Sequence, residues 1–218
     1  MSYAVIFDMD GVISDTQKLH AAVESELLGR YGVHVSPEEV TYRYAGVKTS
    51  EFFSDLLKDT DADISALMKE KWERAVELAE ERVDPIPGAI ELIHALHEKN
   101  IPIGVSSASA RPYVEMVLTK LGVRQFILQS TTGDEVEHGK PDPMIFVNTA
   151  KKLGIDPQAC LVIEDGKSGM IAAKRGGMAC IGLVYDVEEY PADTLVSDLR
   201  DVTLSMIEEL VSNNVVEK

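Results

Sequence analysis

Residues 3–12 read YAVIFDMDGV, a short apolar run that ends in two aspartates and a glycine. The apolar part, 3–7, predicts a strand that is buried on both faces of a sheet. Similar runs recur at 101–106, 123–128, 160–164 and 179–184. Helical patterns lie between the later runs, and strands that alternate with helices pair in parallel through right-handed crossovers. The sequence therefore predicts an α/β fold, a parallel sheet with helices on both faces.

One long segment departs from this alternation. From about 16 to 83 the sequence has no strand-like run and instead shows four helical patterns, with apolar residues spaced three and four apart. The segment ends in the stiff, turn-forming stretch DPIPG at 84–88. We expect a core domain of residues 1–15 and 84–218, and a small all-helical cap domain of residues 16–83. An insert directly after the first strand is well placed to act as a lid.

The composition of the chain argues against several classes of protein. The chain has 218 residues, with 21 Lys and Arg against 37 Asp and Glu, for a formal net charge of −16. This charge argues against nucleic-acid binding, which needs clustered basic residues. No apolar run approaches the roughly 18 residues that span a membrane, and Asp8 and Asp10 interrupt the first run, so it does not resemble a signal peptide. We expect a cytoplasmic protein without membrane partners; its oligomeric state is open, and a monomer is compatible with the sequence.

The two cysteines, Cys160 and Cys180, each begin an apolar run. Buried core thiols are the simplest interpretation. A disulfide or a metal-binding pair is the alternative, and the spacing of the two residues does not support it.

Acidic residues follow two of the predicted strands. Asp8 and Asp10 come directly after the first strand, and Glu164 and Asp165 stand at the end of another. Because ligands of parallel sheets bind beyond the carboxyl ends of the strands, we expect these side chains to share one pocket. A carboxylate such as Asp8 can attack phosphorus, and a second one, Asp10, can protonate the leaving oxygen and later deprotonate water.

A cluster of carboxylates that meets an anionic phosphate needs a cation. Hard oxygen ligands favour Mg²⁺, which binds one or two carboxylates, water and substrate phosphate. The alternative interpretation gives these residues structural roles, with Asp8 and Asp10 in a solvated turn and with Glu164 and Asp165 at the start of a helix.

Two further residues can bind a phosphoryl group. Lys140 lies between Gly139 and Pro141, in a loop that must be rigid, and its charge can hold Asp8 and phosphoryl oxygens. Ser107 follows the run at 101–106 and can donate a hydrogen bond to the same group. The alternatives are a solvated surface lysine and a serine that caps a helix.

These residues resemble the four motifs of the haloacid dehalogenase-like hydrolases: DMDGV at 8–12, Ser107, Lys140 in GKPDP, and EDG at 164–166. The resemblance covers essentially the whole chain, with the motifs in the right order and spacing. It implies a Rossmann-like parallel-sheet core with a small, mobile helical cap inserted after the first strand.

The resemblance also implies roles for individual residues. Asp8 would be the nucleophile and Asp10 the general acid and base, while Ser107, Ala108 and Lys140 would bind the phosphoryl group. The implied Mg²⁺ ligands are Asp8, the main-chain carbonyl of Asp10, and Asp165, with Glu164 alongside. Dehalogenases and phosphonate-cleaving members lack the second aspartate, so Asp10 favours phosphate esters and a small phosphorylated metabolite as substrate.

Within the family, the chain is similar to the branch of β-phosphoglucomutase and the small sugar-phosphate phosphatases. Thr16 and His20 in DTQKLH resemble that branch, as does SSAS followed by Arg111. The mutases carry an arginine shortly after a Gly-Val pair in the cap, where this chain has Gly46-Val47 followed by Lys48. We therefore expect a phosphatase, with a phosphosugar mutase as the alternative.

Substrate choice is expected to depend on Lys48, His20 and Arg74, although Lys48 could be a solvated lysine and His20 a polar hinge residue. A non-catalytic binding protein of the same fold is a third alternative. It is disfavoured because such a protein has little reason to keep the nucleophile, the acid–base residue, the lysine and the metal carboxylates together.

Overall fold

Six parallel strands form one sheet in the parts of the chain that the computed structural model describes, residues 2–44, 47–185 and 189–216. The strands are β1 (Ala4–Phe7), β2 (Ile103–Ser107), β3 (Gln129–Thr132), β4 (Cys160–Glu164), β5 (Ala179–Leu183) and β6 (Thr194–Val196). Their order across the sheet is β3-β2-β1-β4-β5-β6. The order reverses at β1, with β2 on one side and β4 on the other, and such a switch point opens a crevice for ligands.

The first strand is the centre of the sheet. All four residues of β1 are buried, and Ile6 lies beside Gly104 of β2 and Val162 of β4. When a strand is paired on both edges and covered on both faces, its side chains are shielded from water and are therefore apolar. The continuous apolar run at the start of the sequence is therefore the signature of this position.

Helices cover both faces of the sheet, and a further group of helices lies in the insert after β1. The helices are α1 (Gln17–Gly29), α2 (Pro37–Tyr44), α3 (Thr49–Leu56), α4 (Ile64–Glu81), α5 (Ala89–Glu98), α6 (Arg111–Lys120), α7 (Met144–Leu153), α8 (Lys167–Arg175) and α9 (Leu204–Val216). Helices α5, α6 and α9 contribute to the hydrophobic core on one face, and α7 and α8 to the core on the other. The expected α/β fold is confirmed.

Helices α1 to α4 pack around a hydrophobic cluster of their own, which includes Leu27, Phe53 and Leu67. The chain enters and leaves this group through two segments that pair with each other. The N–H of Ile86 donates to the carbonyl of Ile13 (3.0 Å), and the N–H of Asp15 donates to that of Asp84 (2.9 Å). The four helices of the insert are confirmed, while the boundaries at 16 and 83 stay a prediction.

The strand expected at 123–128 is wrong. The segment forms a short 3₁₀ turn at Arg124–Phe126, and the strand follows at 129–132. Val123 and Ile127 flank this turn and are buried in the core. Their apolar character therefore indicates burial and not an extended backbone. The strand itself is rich in hydroxyl groups, which carry no apolar signal.

Both cysteines are buried and free, as the sequence predicts. Burial raises the pKa of the Cys160 thiol to about 12, with Asp156 adding to the shift, so this thiol stays protonated at neutral pH.

Within the described residues, no helix combines the length and the apolar character needed to cross a membrane.

Buried hydroxyl groups join β2, β3 and α7. The Thr149 hydroxyl lies 2.8 Å from the hydroxyls of Ser106 and Thr131, and all three side chains are buried. A buried hydroxyl that loses its partner costs about 1–3 kcal/mol. The network therefore compensates for the polar composition of β3.

Thr149→Val should lower the free energy of unfolding by about 1–3 kcal/mol, because valine keeps the shape but leaves Ser106 and Thr131 with fewer partners. Chemical denaturation monitored by circular dichroism measures the change. The control is Thr119→Val on the exposed side of α6, expected to change stability by about 0.5 kcal/mol or less. Equal effects of the two substitutions would contradict this account.

Candidate active site

Asp8 follows β1 directly and is still held by the sheet. Its N–H donates to the carbonyl of Ile163 in β4 at 2.9 Å. The chain then turns sharply, with Gly11 at φ +95° and its N–H donated to the carbonyl of Ser14 (2.8 Å). This turn brings the side chains of Asp8 and Asp10 to the same cavity.

Lys140 is fully buried and lies between two carboxylates. Its ammonium donates to Asp8 Oδ1 and to Glu164 Oε1, the latter at 2.5 Å. Burial alone would lower the pKa of this lysine, but the charges of Asp8 and Glu164 outweigh burial and raise the pKa above its ordinary value. The lysine is therefore held as a cation at the floor of the site.

The Asp8 carboxyl is in an unusual electrostatic environment. Burial raises its pKa to about 8; Lys140 opposes this shift, while Glu164 and Asp10 add to it. Burial, Glu164 and Asp8 also raise the pKa of Asp165 well above its ordinary value. Both shifts have the same origin, since burial disfavours the charged carboxylates and the neighbouring acidic groups add to that effect.

The three acidic residues fit a divalent cation. Asp8, Glu164 and Asp165 each offer a carboxylate oxygen, and these oxygens lie within 4.8 Å of one another. Lys140 offsets one of the three negative charges, and a divalent cation would offset the remainder. Carboxylate oxygens are also the ligands that hard cations such as Mg²⁺ prefer.

Two glycines leave space for these carboxylates. A Cβ on Gly11 would lie 2.0 Å from Asp165 Oδ2, and one on Gly169 of α8 would lie 1.7 Å from Glu164 Oε1. Glu164 is also fixed by the N–H of Gly166, which donates to its Oε2 at 2.5 Å. The backbone therefore approaches both acidic side chains more closely than any other residue type would permit.

Asp10 lies on the other side of the cavity and accepts hydrogen bonds from a ring of donors. Thr16 Oγ1 donates to its Oδ1 at 2.5 Å, and His20 Nε2 lies 3.1 Å from the same oxygen. Ser109 Oγ and Ser107 Oγ donate to its Oδ2 at 2.8 and 3.2 Å. Burial would raise the pKa of Asp10, but His20, Thr16 and Ser109 outweigh it and hold the pKa well below its ordinary value.

Of the remaining predicted residues, one group lies at the cavity and another lies away from it. Thr16, His20, Ser107 and Ala108 surround Asp10 or line the cavity. Ser107 also accepts the N–H of Ser109 at 3.1 Å, so it fixes the local backbone as well.

Lys48, Arg111 and Arg74 lie outside the cavity lining. Lys48 Nζ donates to the carbonyl of Val136 at 2.9 Å. Arg111 forms an ion pair with Glu115 (3.3 Å), and Arg74 forms one with Glu26. Gly46, which marks the cap loop in the sequence, is outside the described residues.

The cavity lies between the insert and the core, with about 570 Å³ of empty space including its mouth. Its lining residues are Asp8, Asp10, Gln17, His20, Ala21, Glu24, Val40, Thr41, Tyr44, Val47, Thr49, Phe52, Lys71, Ala108 and Ser109. The lining combines apolar side chains with a few convergent polar groups, as small-molecule sites do. The core supplies the acidic floor and the insert supplies the roof.

Sequence reasoning missed several polar residues of the site. Gln17 Nε2 donates to Asp165 Oδ2 at 2.8 Å, and Glu24 lines the cavity one helical turn beyond His20. Lys71 is buried on α4 between Leu67 and Ala75, one turn away on either side. A lysine at a core position of an amphipathic helix is the signal that could have identified it.

The fold and this arrangement define a class of protein. The model of the haloacid dehalogenase-like hydrolase family matches residues 5–183, and the chain belongs to that family. Its relatives place it in the branch that includes β-phosphoglucomutase and the sugar phosphatases.

Two curated relatives are phosphatases by name. Validoxylamine A 7'-phosphate phosphatase of Streptomyces hygroscopicus subsp. limoneus is 31% identical over 93% of this chain and 96% of the relative. Fructose-1-phosphate phosphatase YqaB of Escherichia coli is 31% identical over 81% of this chain and 94% of the relative. The solved structure of β-phosphoglucomutase from Clostridium difficile superposes with a TM-score of 0.87 at 27% identity, covering 99% of this chain and 100% of that one. The family and the two phosphatases support phosphoric monoester hydrolysis.

Gly11→Ala should weaken divalent-cation binding about 10- to 100-fold, because the added methyl group displaces Asp165. Calorimetric titration with Mg²⁺ measures the affinity. Gly32→Ala is the matched control, since Gly32 also has a positive φ (+75°) but its Cβ would meet nothing within 4 Å. Both variants share the backbone strain, so an equal Mg²⁺ affinity in the two would refute the role assigned to Gly11.

Proposed function

We propose that this protein is a Mg²⁺-dependent phosphatase that hydrolyses a small phosphorylated metabolite with a sugar-like or polyol body through an aspartyl-phosphate. The observation that carries the proposal is the contact of buried Lys140 with Asp8, whose side chain lines the same cavity as Asp10. A lysine-held carboxylate beside a second, separately held carboxylate is the arrangement that a two-step phosphoryl transfer needs.

In the first step Asp8 is the nucleophile. Its Oδ1 is held by Lys140, while its Oδ2 has no hydrogen-bond partner among the described residues. A bond forms between Oδ2 and phosphorus as the bond between phosphorus and the ester oxygen breaks. Lys140, the Ser107 hydroxyl and the backbone at Ala108 bind the phosphoryl oxygens, which gain charge in the transition state.

Asp10 is the general acid of the first step and the general base of the second. It donates a proton to the departing alcohol and then takes one from the water that attacks the aspartyl-phosphate, which releases phosphate and restores Asp8. The donors around Asp10 favour its ionised form, which suits the second step. When the Ser107 hydroxyl turns to the substrate, Asp10 loses one donor and gains an anionic neighbour, and both changes raise its pKa for the first step.

Mg²⁺ would be held by the carboxylates of Asp8 and Asp165 and by the carbonyl of Asp10, with Glu164 alongside. When bound, it supplies positive charge that lets the phosphoryl group approach Asp8. The raised pKa values of Asp8 and Asp165 support this proposal, because burial and the neighbouring acidic groups both make additional positive charge favourable there.

Residues 16–83 would act as a lid that closes over the substrate and excludes bulk water. Contacts across the boundary support this role. Gln17 reaches Asp165, Lys48 holds the carbonyl of Val136, and Glu51 of α3 accepts the N–H of Gly139 at 3.0 Å. The last contact lies next to Lys140, so closure and the position of that lysine are linked.

A phosphosugar mutase that uses the same aspartyl-phosphate is the second candidate, and the similarity to β-phosphoglucomutase favours it. The position of Lys48 supports hydrolysis instead. Its ammonium is bound to backbone carbonyls of Val136 and Glu137, where it is not directed at a second phosphate.

The strongly negative chain is further proposed to be a cytoplasmic enzyme that binds no nucleic acid.

Asp8→Asn should reduce phosphate release by roughly 10⁴-fold or more, because an amide is no nucleophile. The measurement is a phosphate-release screen over phosphorylated metabolites with Mg²⁺, repeated after chelation and after Mg²⁺ is restored. Asp61→Asn, an exposed aspartate of the insert, is the control and should keep full activity. Undiminished turnover by Asp8→Asn, or by the chelated enzyme, would disprove the mechanism.

The mutase alternative is tested with β-glucose 1-phosphate, Mg²⁺ and a bisphosphate primer. We expect free phosphate and glucose to accumulate, because water takes the phosphoryl group from Asp8. Coupled assays measure phosphate and glucose 6-phosphate in parallel. Glucose 6-phosphate formed without matching release of phosphate would replace the hydrolase proposal with the mutase.

A further inference from the structure

Three polar side chains meet in the roof of the cavity, one from each of three helices of the insert. They are Glu24 of α1, Thr49 of α3 and Lys71 of α4, and all three are buried. All three also line the cavity that contains Asp8 and Asp10. The insert therefore presents a polar group to whatever is bound above the acidic floor.

The three side chains form one connected cluster, which we call the roof cluster. Thr49 Oγ1 donates to Glu24 Oε1 at 3.1 Å. Lys71 Nζ lies 3.5 Å from that same carboxylate oxygen and 3.5 Å from the threonine hydroxyl. The ammonium also lies 3.3 Å from the centre of the Trp72 ring, which stabilises the cation. The opposite charges of Glu24 and Lys71 make the cluster neutral overall.

The roof cluster has unused hydrogen-bonding capacity. Glu24 Oε2 has no partner among the described residues, and Lys71 has three N–H donors for two distant acceptors. A free acceptor and a free donor therefore stand side by side. A hydroxyl group, which both donates and accepts, satisfies the two at once.

We propose that Glu24, Thr49 and Lys71 form a subsite that binds hydroxyl groups of an uncharged sugar or polyol body and rejects a body with a second anionic group. This inference rests on the proposed function and narrows its substrate class. A buried lysine alone would attract an anion. The Glu24 carboxylate beside it repels the same anion, and the repulsion is strong because little water screens it. The subsite also disfavours bisphosphates, which a mutase must retain.

Two substrates that differ only in the charge of one end test the proposal. D-glucitol 6-phosphate ends in an uncharged CH₂OH group, and 6-phosphogluconate carries a carboxylate in its place. We expect wild-type kcat/KM to be at least about tenfold higher for the neutral substrate. This comparison needs no variant, so it stands even where a substitution in the buried cluster prevents folding. A ratio near one would overturn the proposal.

Glu24→Gln removes the negative charge and keeps the shape, so the ratio of the two kcat/KM values should fall about tenfold toward one. The matched control is Glu26→Gln, the same change two residues along α1 on the exposed face, which should leave the ratio unchanged. Circular dichroism shows whether each variant is folded. A folded Glu24→Gln enzyme with the wild-type ratio would overturn the subsite.

Failure of the subsite and failure of the proposed function give different results. If wild type releases phosphate from p-nitrophenyl phosphate but does not prefer the neutral polyol phosphate, only the subsite is wrong. If wild type with Mg²⁺ releases phosphate from none of the three compounds, the proposed function itself is wrong.

Discussion

The convergence of three carboxylates, two of them buried against one lysine, is the constraint on which this structure depends. Asp8, Glu164 and Asp165 converge where β1 and β4 end, and Lys140 reaches Asp8 and Glu164 from the loop before α7. Charges removed from water are costly unless opposite charge lies close by. The lysine satisfies part of that requirement, and the rest of the site is arranged to receive a cation. The glycines that leave space for the acidic groups, the low exposure of Lys140 and the raised pKa of Asp8 all follow from this convergence.

The two parts of the chain contribute different chemistry to the cavity. The core supplies the acidic floor, which is fixed by sheet pairing and by backbone N–H groups. The insert supplies His20, which faces Asp10, and the neutral roof cluster. The groups proposed to react therefore lie on the sheet, and the polar groups of the roof lie on helices of the insert.

Much of the fold and of the floor could be predicted from the sequence, because both follow from strand position. A doubly buried strand must be apolar, and parallel strands end at the same edge, so the approach of Asp8 to Glu164 and Asp165 was predictable from strand position. Lys140 lies in a loop before a helix, and its place beside Asp8 was expected from its motif. Lys71 at a core position of α4 was a signal for the roof, but its partners were not predictable, since they depend on which face of each helix turns inward. The strand at 129–132 was missed for a related reason: its hydroxyls are satisfied by Ser106 and Thr149, which only tertiary contacts reveal.

Trapping of the covalent intermediate tests the central claim most directly. The enzyme, turning over a phosphorylated substrate with Mg²⁺, is quenched in acid and treated with borohydride, which reduces an acyl phosphate to an alcohol. Peptide mass spectrometry then locates the reduced residue. The account predicts conversion of Asp8 to homoserine, dependent on substrate. Conversion of a different residue, or none while phosphate is being released, would contradict it.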